Sequence, residues 1–82
     1  MKIDIRYFAS VRETLGSGES VETQAATLAE LRDELIARGG PHAAALARGR
    51  AVRMAMDQVM RAESSALRDG AEVAFFPPVT GG

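Results

Sequence analysis

Cysteine is missing from this sequence, so disulfide bonds and thiolate chemistry are excluded. In a chain of 82 residues, the lack of disulfides fits a reducing compartment. No apolar run approaches the roughly 20 residues that a membrane-spanning helix needs. The chain has 10 basic and 11 acidic residues, so neither sign of charge dominates. This balance gives no electrostatic reason to expect binding to nucleic acid or to an anionic membrane. We therefore expect a single cytoplasmic domain.

The usual catalytic groupings are also absent. His42 is the only histidine, so one chain cannot build a histidine metal cluster or a Ser-His-Asp triad, and we expect His42 to face solvent. The glycine pairs at 39–40 and 81–82 do not match a phosphate-binding loop. Five acidic residues are expected on solvent faces: Asp4, Glu13, Glu30, Asp33 and Glu34. We therefore predict no metal and no cofactor bound by this chain, and an autonomous enzyme is disfavoured.

Alternation of apolar and polar residues predicts the first strand. Ile3, Ile5 and Tyr7 share one face over residues 2–8, while Phe8 places an aromatic ring on the opposite, polar face. Phe8 is therefore either a local packing residue or part of a partner surface. A weaker strand is predicted around Val21.

The second half of the sequence predicts three more strands. Residues 52–56 alternate, Asp57-Gln58 predicts a tight turn, and residues 59–61 follow as the next strand. Residues 71–76 form the last strand, with Val73 and Phe75 on the inner face, and Leu67 fills the core before it. The methionines at strand spacing are expected to be core residues: Met54, Met56 and Met60.

Helix boundaries follow from capping signals. Ser10-Val11-Arg12-Glu13 has the spacing of a capping box, which predicts a short helix from Ser10 to a stop at Gly16. Thr27-Leu28-Ala29-Glu30 repeats the signal and begins the main helix, residues 28–38. Its leucines at 28, 31 and 35 form an apolar stripe, while Arg32 is placed on the polar side. A second short helix is predicted over residues 41–47, because proline suits a first helical position.

One main helix against a mixed sheet of four to five strands, with short extra helices, is an α+β two-layer arrangement. We predict a folded domain over residues 1–76 and a flexible C-terminal tail over residues 77–82.

The tail is the candidate functional segment. Phe76 lies on the outward face of the last strand, and Pro77-Pro78 cannot continue a hydrogen-bonded ladder. Gly81 and Gly82 have no side chains, so the end of the chain is narrow enough for a partner's channel. Six extended residues reach on the order of 20 Å. A terminal carboxylate is ionised and a poor acyl donor, and it becomes reactive only after conversion to an acyl-adenylate. Sulfur could then displace the adenylate and leave a thiocarboxylate.

Residues 67–82 closely resemble the C-terminal signature of the small subunits of molybdopterin synthase, a family of ubiquitin-like sulfur carriers. The sequence of this segment is Leu-Arg-Asp-Gly-Ala-Glu-Val-Ala-Phe-Phe-Pro-Pro-Val-Thr-Gly-Gly. Residues 5–13 resemble that family's first strand and short helix. The chain departs from the family at Asp57, where asparagine is common.

The resemblance implies a β-grasp, ubiquitin-like fold. It implies that Gly82 is adenylated by an ATP-dependent enzyme of the ubiquitin-activating type and then thiocarboxylated with sulfur from a donor protein. The tail would enter the large synthase subunit, in a heterotetramer, and give sulfur to cyclic pyranopterin monophosphate to form the molybdopterin dithiolene. The catalytic residues would lie on the large subunit. The residues expected to contact partners are Phe76, Pro77, Pro78, Val79, Thr80 and Gly81.

Three alternatives remain open at this point. A sulfur carrier for thiazole synthesis in the thiamin pathway and a ubiquitin-like protein modifier also end in Gly-Gly, although the Phe-Phe-Pro-Pro run favours molybdopterin. A non-catalytic binding module with a passive tail is the alternative of a different class.

Overall fold

A computed structural model describes residues 1–78 of the chain. The elements follow one another in the order β1 (Lys2–Tyr7), α1 (Ala9–Leu15), β2 (Gly18–Glu22), α2 (Leu28–Ala37), α3 (Gly40–Leu46), β3 (Arg53–Met56), β4 (Val59–Arg61) and β5 (Glu72–Phe76). The five strands form one sheet in the order β2-β1-β5-β3-β4. The predicted α+β arrangement, with a mixed sheet and one longer helix, is confirmed.

The two central strands, β1 and β5, are parallel, and all other pairs are antiparallel. One face of the sheet supplies most of the core, because Ile3, Ile5 and Tyr7 of β1 and Val73 and Phe75 of β5 are almost completely buried. These are the inward residues that the alternation predicts.

Helix α2 covers this inner face with the predicted leucine stripe. Leu28, Leu31 and Leu35 are buried, and each contributes about 1.5–3 kcal/mol relative to exposure. The Thr27 side chain caps the helix by accepting from the Glu30 amide at 3.2 Å. Since the cap and the stripe both match the sequence prediction, the main helix is fixed by local signals and by burial together.

The capping box predicted at Ser10 is wrong. Helix α1 begins at Ala9, and Phe8 is the N-cap without a side-chain cap bond. The Phe8 carbonyl accepts from the Arg12 amide at 3.2 Å, because the chain turns already at Ala9, which has φ 52°. Gly16 ends the helix as predicted, with φ 90°.

The polar-face assignment of Arg32 is also wrong. Arg32 is 3 % exposed although it lies on α2. Its guanidinium donates to the carbonyls of Leu46 and Ala47, both at 2.8 Å, and of Arg50 at 3.1 Å. A planar group with five fixed donors suits three converging carbonyls, so Arg32 holds the segment between α3 and β3 in place.

The turn between β3 and β4 is the predicted Asp57-Gln58 pair. Both residues have positive φ, 51° and 69°, as a two-residue type I′ hairpin requires. Met54 is buried and Met56 is partly buried, as core residues should be. Met60, however, is 59 % exposed, because β4 is an edge strand and Met60 points away from the helices.

None of the helices within residues 1–78 is long and apolar enough to cross a membrane.

Candidate partner-binding surface and the start of the C-terminal segment

Strand β5 carries the start of the C-terminal segment and is bonded on both sides. At its last residues, Tyr7 of β1 lies opposite Phe75, and Arg53 of β3 lies opposite Phe76. The Phe8 amide also donates to the Phe75 carbonyl at 3.1 Å. Because neighbours on both sides hold these residues, the fold fixes the point at which the chain leaves the sheet. We call this place, the end of β5 at Phe76, the exit point.

Pro77 and Pro78 follow β5 directly, are partly buried and lie outside the strands. Neither has an N–H group, so the ladder cannot continue through them. Pro77 lines a cleft together with Ser10 and Val11 of α1 and Arg50 before β3. The change from paired strand to unpaired chain therefore occurs within one residue of Phe76.

The sheet face opposite the helices carries an apolar patch next to this exit point. Phe8 is 47 % exposed, and it follows Tyr7 just as Phe76 follows Phe75, the register partner of Tyr7. Ala55 lies opposite Ala74 on one side and opposite Met60 on the other. We call the following five residues the outer-face patch: Phe8, Ala55, Met60, Ala74 and Phe76.

The outer-face patch has the form of a protein docking surface. Ala55 and Ala74 have small side chains and lie between larger ones, which include the exposed Phe8 and the exposed Met60. Aromatic residues and methionine are enriched at protein interfaces. Arg6 and Arg53 lie opposite Ala74 and Phe76 in the register. Since Arg6 is paired with Asp4 at 3.4 Å and with Glu72 at 3.8 Å, charges of both signs border the patch.

A second cluster, centred on Glu19 of β2, ties the inner face together beneath the exit point. The Glu19 carboxylate accepts from the Tyr7 hydroxyl at 2.8 Å, from Arg38 Nη1 at 2.8 Å and from His42 Nε2 at 3.1 Å. The Tyr7 ring in turn packs against Phe75, with 6.2 Å between the centroids. This cluster joins β1, β2 and the junction between α2 and α3.

Burial and hydrogen bonding act in opposite directions on the Glu19 carboxyl. Burial alone would raise its pKa, but hydrogen bonds from Arg38, His42 and Tyr7 outweigh that effect and lower the pKa to about 2. Burial raises the pKa of the Tyr7 phenol well above its usual range, and the hydrogen bond to Glu19 adds to this. Glu19 is therefore a charged acceptor at neutral pH and Tyr7 a neutral donor.

His42 does not face solvent as expected, because its side chain is only 17 % exposed and is bonded to Glu19. The sequence singled out neither Glu19 nor this cluster. The only available signal was the lone histidine, and nothing local links it to a carboxylate that is 23 residues away.

The start of β5 is held by Asp57 of the hairpin turn. Its Oδ1 accepts from the Glu72 amide at 3.0 Å, and its other oxygen pairs with Arg68. The hydrogen bond from Arg68 is the main cause that lowers the pKa of the exposed Asp57 carboxyl. An aspartate at this position therefore satisfies the turn and fastens β5 at the end opposite the exit point.

The structure describes three of the residues predicted to contact partners. Phe76, Pro77 and Pro78 adjoin one another at the exit point, and the outer-face patch adds Phe8 and Met60. The remaining predicted residues lie outside the described part of the chain: Val79, Thr80, Gly81 and Gly82.

Within residues 1–78 there is no group of three or more histidine, cysteine, aspartate or glutamate side chains that could hold a metal ion.

A mixed five-stranded sheet with a parallel central pair, crossed by one longer helix, defines the ubiquitin-like β-grasp class. The chain belongs to the ThiS family, whose model matches residues 5–82.

Two relatives bear the name molybdopterin synthase sulfur carrier subunit. The protein from Haemophilus influenzae is 37 % identical over 81 residues, and the protein from Escherichia coli is 40 % identical over 81 residues. Both alignments cover 98 % of this chain and 99 % of the relative. Among solved structures, a putative molybdopterin converting factor, subunit 1, from Pyrococcus furiosus matches with a TM-score of 0.78 and 25 % identity. That match covers 96 % of this chain and 99 % of the other.

Proposed function

We propose that this chain is the sulfur carrier subunit of a molybdopterin synthase and works in the cytoplasm. The observation that carries the proposal is the position of β5. A strand held on both sides ends at the outer-face patch, which includes the exposed side chains of Phe8 and Met60, and the chain then continues through Pro77-Pro78 to Gly81-Gly82. The names of the relatives, which describe one subunit of a synthase, support the same assignment.

The chemistry takes place at the carboxylate of Gly82. An adenylyltransferase of the ubiquitin-activating type joins this carboxylate to the AMP part of ATP and releases pyrophosphate. Hydrosulfide released by a donor protein attacks the acyl carbon, the carbon–oxygen bond to AMP breaks, and AMP leaves with the bonding electrons, so that a thiocarboxylate remains. The large synthase subunit then transfers sulfur to cyclic pyranopterin monophosphate to build the dithiolene of molybdopterin. A dithiolene contains two sulfur atoms, so two thiocarboxylates are consumed, and hydrolysis returns each Gly82 to its carboxylate. This chain binds no cofactor of its own.

In this scheme the folded domain is the part of the chain that partner proteins bind. The outer-face patch docks on the activating enzyme and on the large subunit in turn, and Phe76, Pro77, Pro78, Val79, Thr80 and Gly81 contact those partners. The fixed exit point matters, because a docked domain then determines how far Gly82 reaches into the partner. Two small subunits would sit on a large-subunit dimer in a heterotetramer.

The proposal is tested by the intact mass of the protein after incubation with the adenylyltransferase, ATP and a sulfur source. We expect a species heavier by the difference between one sulfur and one oxygen atom, with the added mass on Gly82. A variant lacking Gly81 and Gly82 serves as the control and should stay unmodified while keeping the same far-UV circular dichroism. Any affinity tag must precede Met1, since a C-terminal tag would turn the carboxylate into an amide.

Adding the large synthase subunit and cyclic pyranopterin monophosphate to this experiment separates the proposal from the binding module and from the thiazole-type carrier. A binding module with a passive tail predicts no mass change under any of these conditions. A thiazole-type carrier predicts a thiocarboxylate that the large synthase subunit does not consume when cyclic pyranopterin monophosphate is present. The proposal requires both formation and consumption.

A further inference from the structure

Methionine thioethers are the only sulfur-containing side chains in this chain, because there is no cysteine. The four methionines differ widely in exposure. Met54 is 2 % exposed, and Met56 is partly buried against the core. Met1 is 38 % exposed and Met60 is 59 % exposed. Since oxidation of a thioether requires that the oxidant reach the sulfur, Met60 is the methionine most open to it.

The exposure of Met60 follows from the order of the strands. Strand β4 forms an edge of the sheet, and Met60 lies opposite Ala55, which in turn lies opposite Ala74 of β5. Alanine side chains are too short to cover a neighbouring methionine, so neither of them shields the thioether on the outer face. Met60 is therefore part of the outer-face patch and reachable from solvent at the same time.

Met1, the other exposed methionine, lies in a different part of the sheet. It precedes β1, where its amine donates to the Thr23 carbonyl at 2.8 Å. Arg6 of β1 lies in the same row of the sheet as Met60. At about 3.3 Å per residue, Met1 is roughly 17 Å from Arg6 along the strand. Oxidation of Met1 would therefore leave the outer-face patch unchanged.

Oxidation of Met60 would change the chemistry of the outer-face patch. A methionine sulfoxide is polar, whereas the thioether is apolar. The other four residues of the patch are alanines and phenylalanines, which have no side-chain hydrogen-bond donor to offer a sulfoxide oxygen. When the patch is covered by a docked partner, that oxygen would be withdrawn from water, and a polar group without a partner lowers the affinity.

We propose that Met60 is a modification site at which a peroxide weakens the docking of this chain on the large synthase subunit. The proposal rests on the proposed function, since that subunit is the partner concerned. The Met60 sulfur attacks one oxygen of hydrogen peroxide, the sulfur–oxygen bond forms, and the oxygen–oxygen bond breaks. The sulfur gives up two electrons, and the departing hydroxide takes the proton of the transferred oxygen. The products are Met60 sulfoxide and one molecule of water.

The experiment compares three full-length chains, namely the parent, Met60→Leu and Met56→Leu. Each chain is treated with hydrogen peroxide, the peroxide is removed with catalase, and binding to untreated large synthase subunit is measured by calorimetry. Met60→Leu keeps the patch apolar but removes its sulfur, whereas the control Met56→Leu keeps Met60 and removes a partly buried sulfur. Each treated chain is compared with its own untreated sample, so that any effect of the substitution itself cancels.

Peptide mapping should find that sulfoxide forms at Met60 at least about tenfold faster than at the buried Met54. Binding should weaken by about tenfold in the parent and in Met56→Leu, but by less than about twofold in Met60→Leu. Methionine sulfoxide reductases that act on both epimers should restore binding. Far-UV circular dichroism should stay unchanged throughout, which separates a loss of docking from unfolding.

Three results would overturn the Met60 proposal while leaving the proposed function standing. They are unchanged binding of the chain that carries Met60 sulfoxide, an equal loss of binding in Met60→Leu, and sulfoxide that forms as fast at Met54 as at Met60. An untreated parent chain that does not bind the large synthase subunit contradicts the proposed function, and the Met60 proposal falls with it.

Discussion

Replacing Glu19 with glutamine should destabilise the fold in a manner that depends on pH. The substitution keeps the length of the side chain and removes the charge that accepts from Tyr7, Arg38 and His42. Lowering the pKa of Glu19 from 4.5 to about 2 corresponds to roughly 3 kcal/mol at 1.36 kcal/mol per pH unit. Since the side chain is 26 % exposed, solvent screening reduces the expected effect to about 1–2 kcal/mol.

The sign of the pH dependence follows from the lowered pKa. A carboxyl whose pKa is lower in the folded state stabilises the fold above its unfolded pKa, and this stabilisation is lost as the pH falls towards the folded pKa. For Glu19 the window runs from about 4.5 down to about 2. The Glu19→Gln variant should therefore be less stable than the parent at pH 7, and the two should converge near pH 2.

Urea denaturation followed by far-UV circular dichroism at several pH values measures this difference. Subtracting the two curves removes the contribution of other carboxyls, such as Asp57, which both proteins share. The control is Glu13→Gln, because Glu13 is exposed on α1, and its curve should follow the parent within about 0.5 kcal/mol. A difference for Glu19→Gln that is as large at pH 2 as at pH 7 would show that the charge is not its cause.

Three further predictions concern the sheet, the docking surface and the buried arginine. Gly18→Ala should lower the free energy of unfolding, measured by urea denaturation, by about 2 kcal/mol or more, because the added Cβ would lie 2.3 Å from the Ile5 carbonyl oxygen. The control Gly49→Ala places its Cβ in open space and should change that free energy by less than about 0.5 kcal/mol. Equal losses for the two variants would contradict the close approach at Gly18. Phe8→Ala should weaken binding to the large synthase subunit by about tenfold, as measured by calorimetry. Since Phe8 is 47 % exposed, the free energy of unfolding should change by less than about 1 kcal/mol. Unchanged binding would show that Phe8 is not part of the interface. Arg32→Lys should lower the free energy of unfolding by about 1–3 kcal/mol, because an ammonium cannot reach three converging carbonyls, and a neutral result would refute that role.

The sequence predicts those elements whose signals are local. Ile3, Ile5 and Tyr7 alternate and are buried together, and Thr27 caps α2 as its spacing indicates. In each case a periodic pattern or a short-range hydrogen bond decides the structure, so a single stretch of chain contains the necessary information.

The incorrect predictions for Arg32, His42 and Met60 involve partners that are distant in sequence, whereas the Ser10 capping box is a local signal that failed because α1 begins one residue earlier, at Ala9. Arg32 lies next to an apolar stripe, and nothing nearby shows that carbonyls 14 to 18 residues away will bind it. Glu19 and His42 meet only after β2 and α3 have packed around Tyr7. Met60 has the composition of a core residue, and only the place of β4 at the edge of the sheet exposes it.

Part of the candidate site can be predicted from local sequence, and part depends on contacts between distant segments. Phe76 and the two prolines follow from the sequence, because strand alternation and the missing N–H groups are local properties. The contributions of Ala55 and Ala74 to the outer-face patch depend on strand register, which brings residues of β3 and β5 side by side. That register follows from the whole sheet and cannot be derived from either segment alone.

The parallel pairing of β1 and β5 has a mechanical consequence. Their ladder runs from Asp4 opposite Glu72 to Tyr7 opposite Phe75, and the chain leaves from the far end of β5. A pulling force applied between Met1 and Pro78 would therefore act along the strands, in shear. The evenly spaced bonds of a parallel ladder would share that load, instead of opening one after another as in a zipper. A force applied between these two ends would therefore load the last strand without peeling it from the sheet.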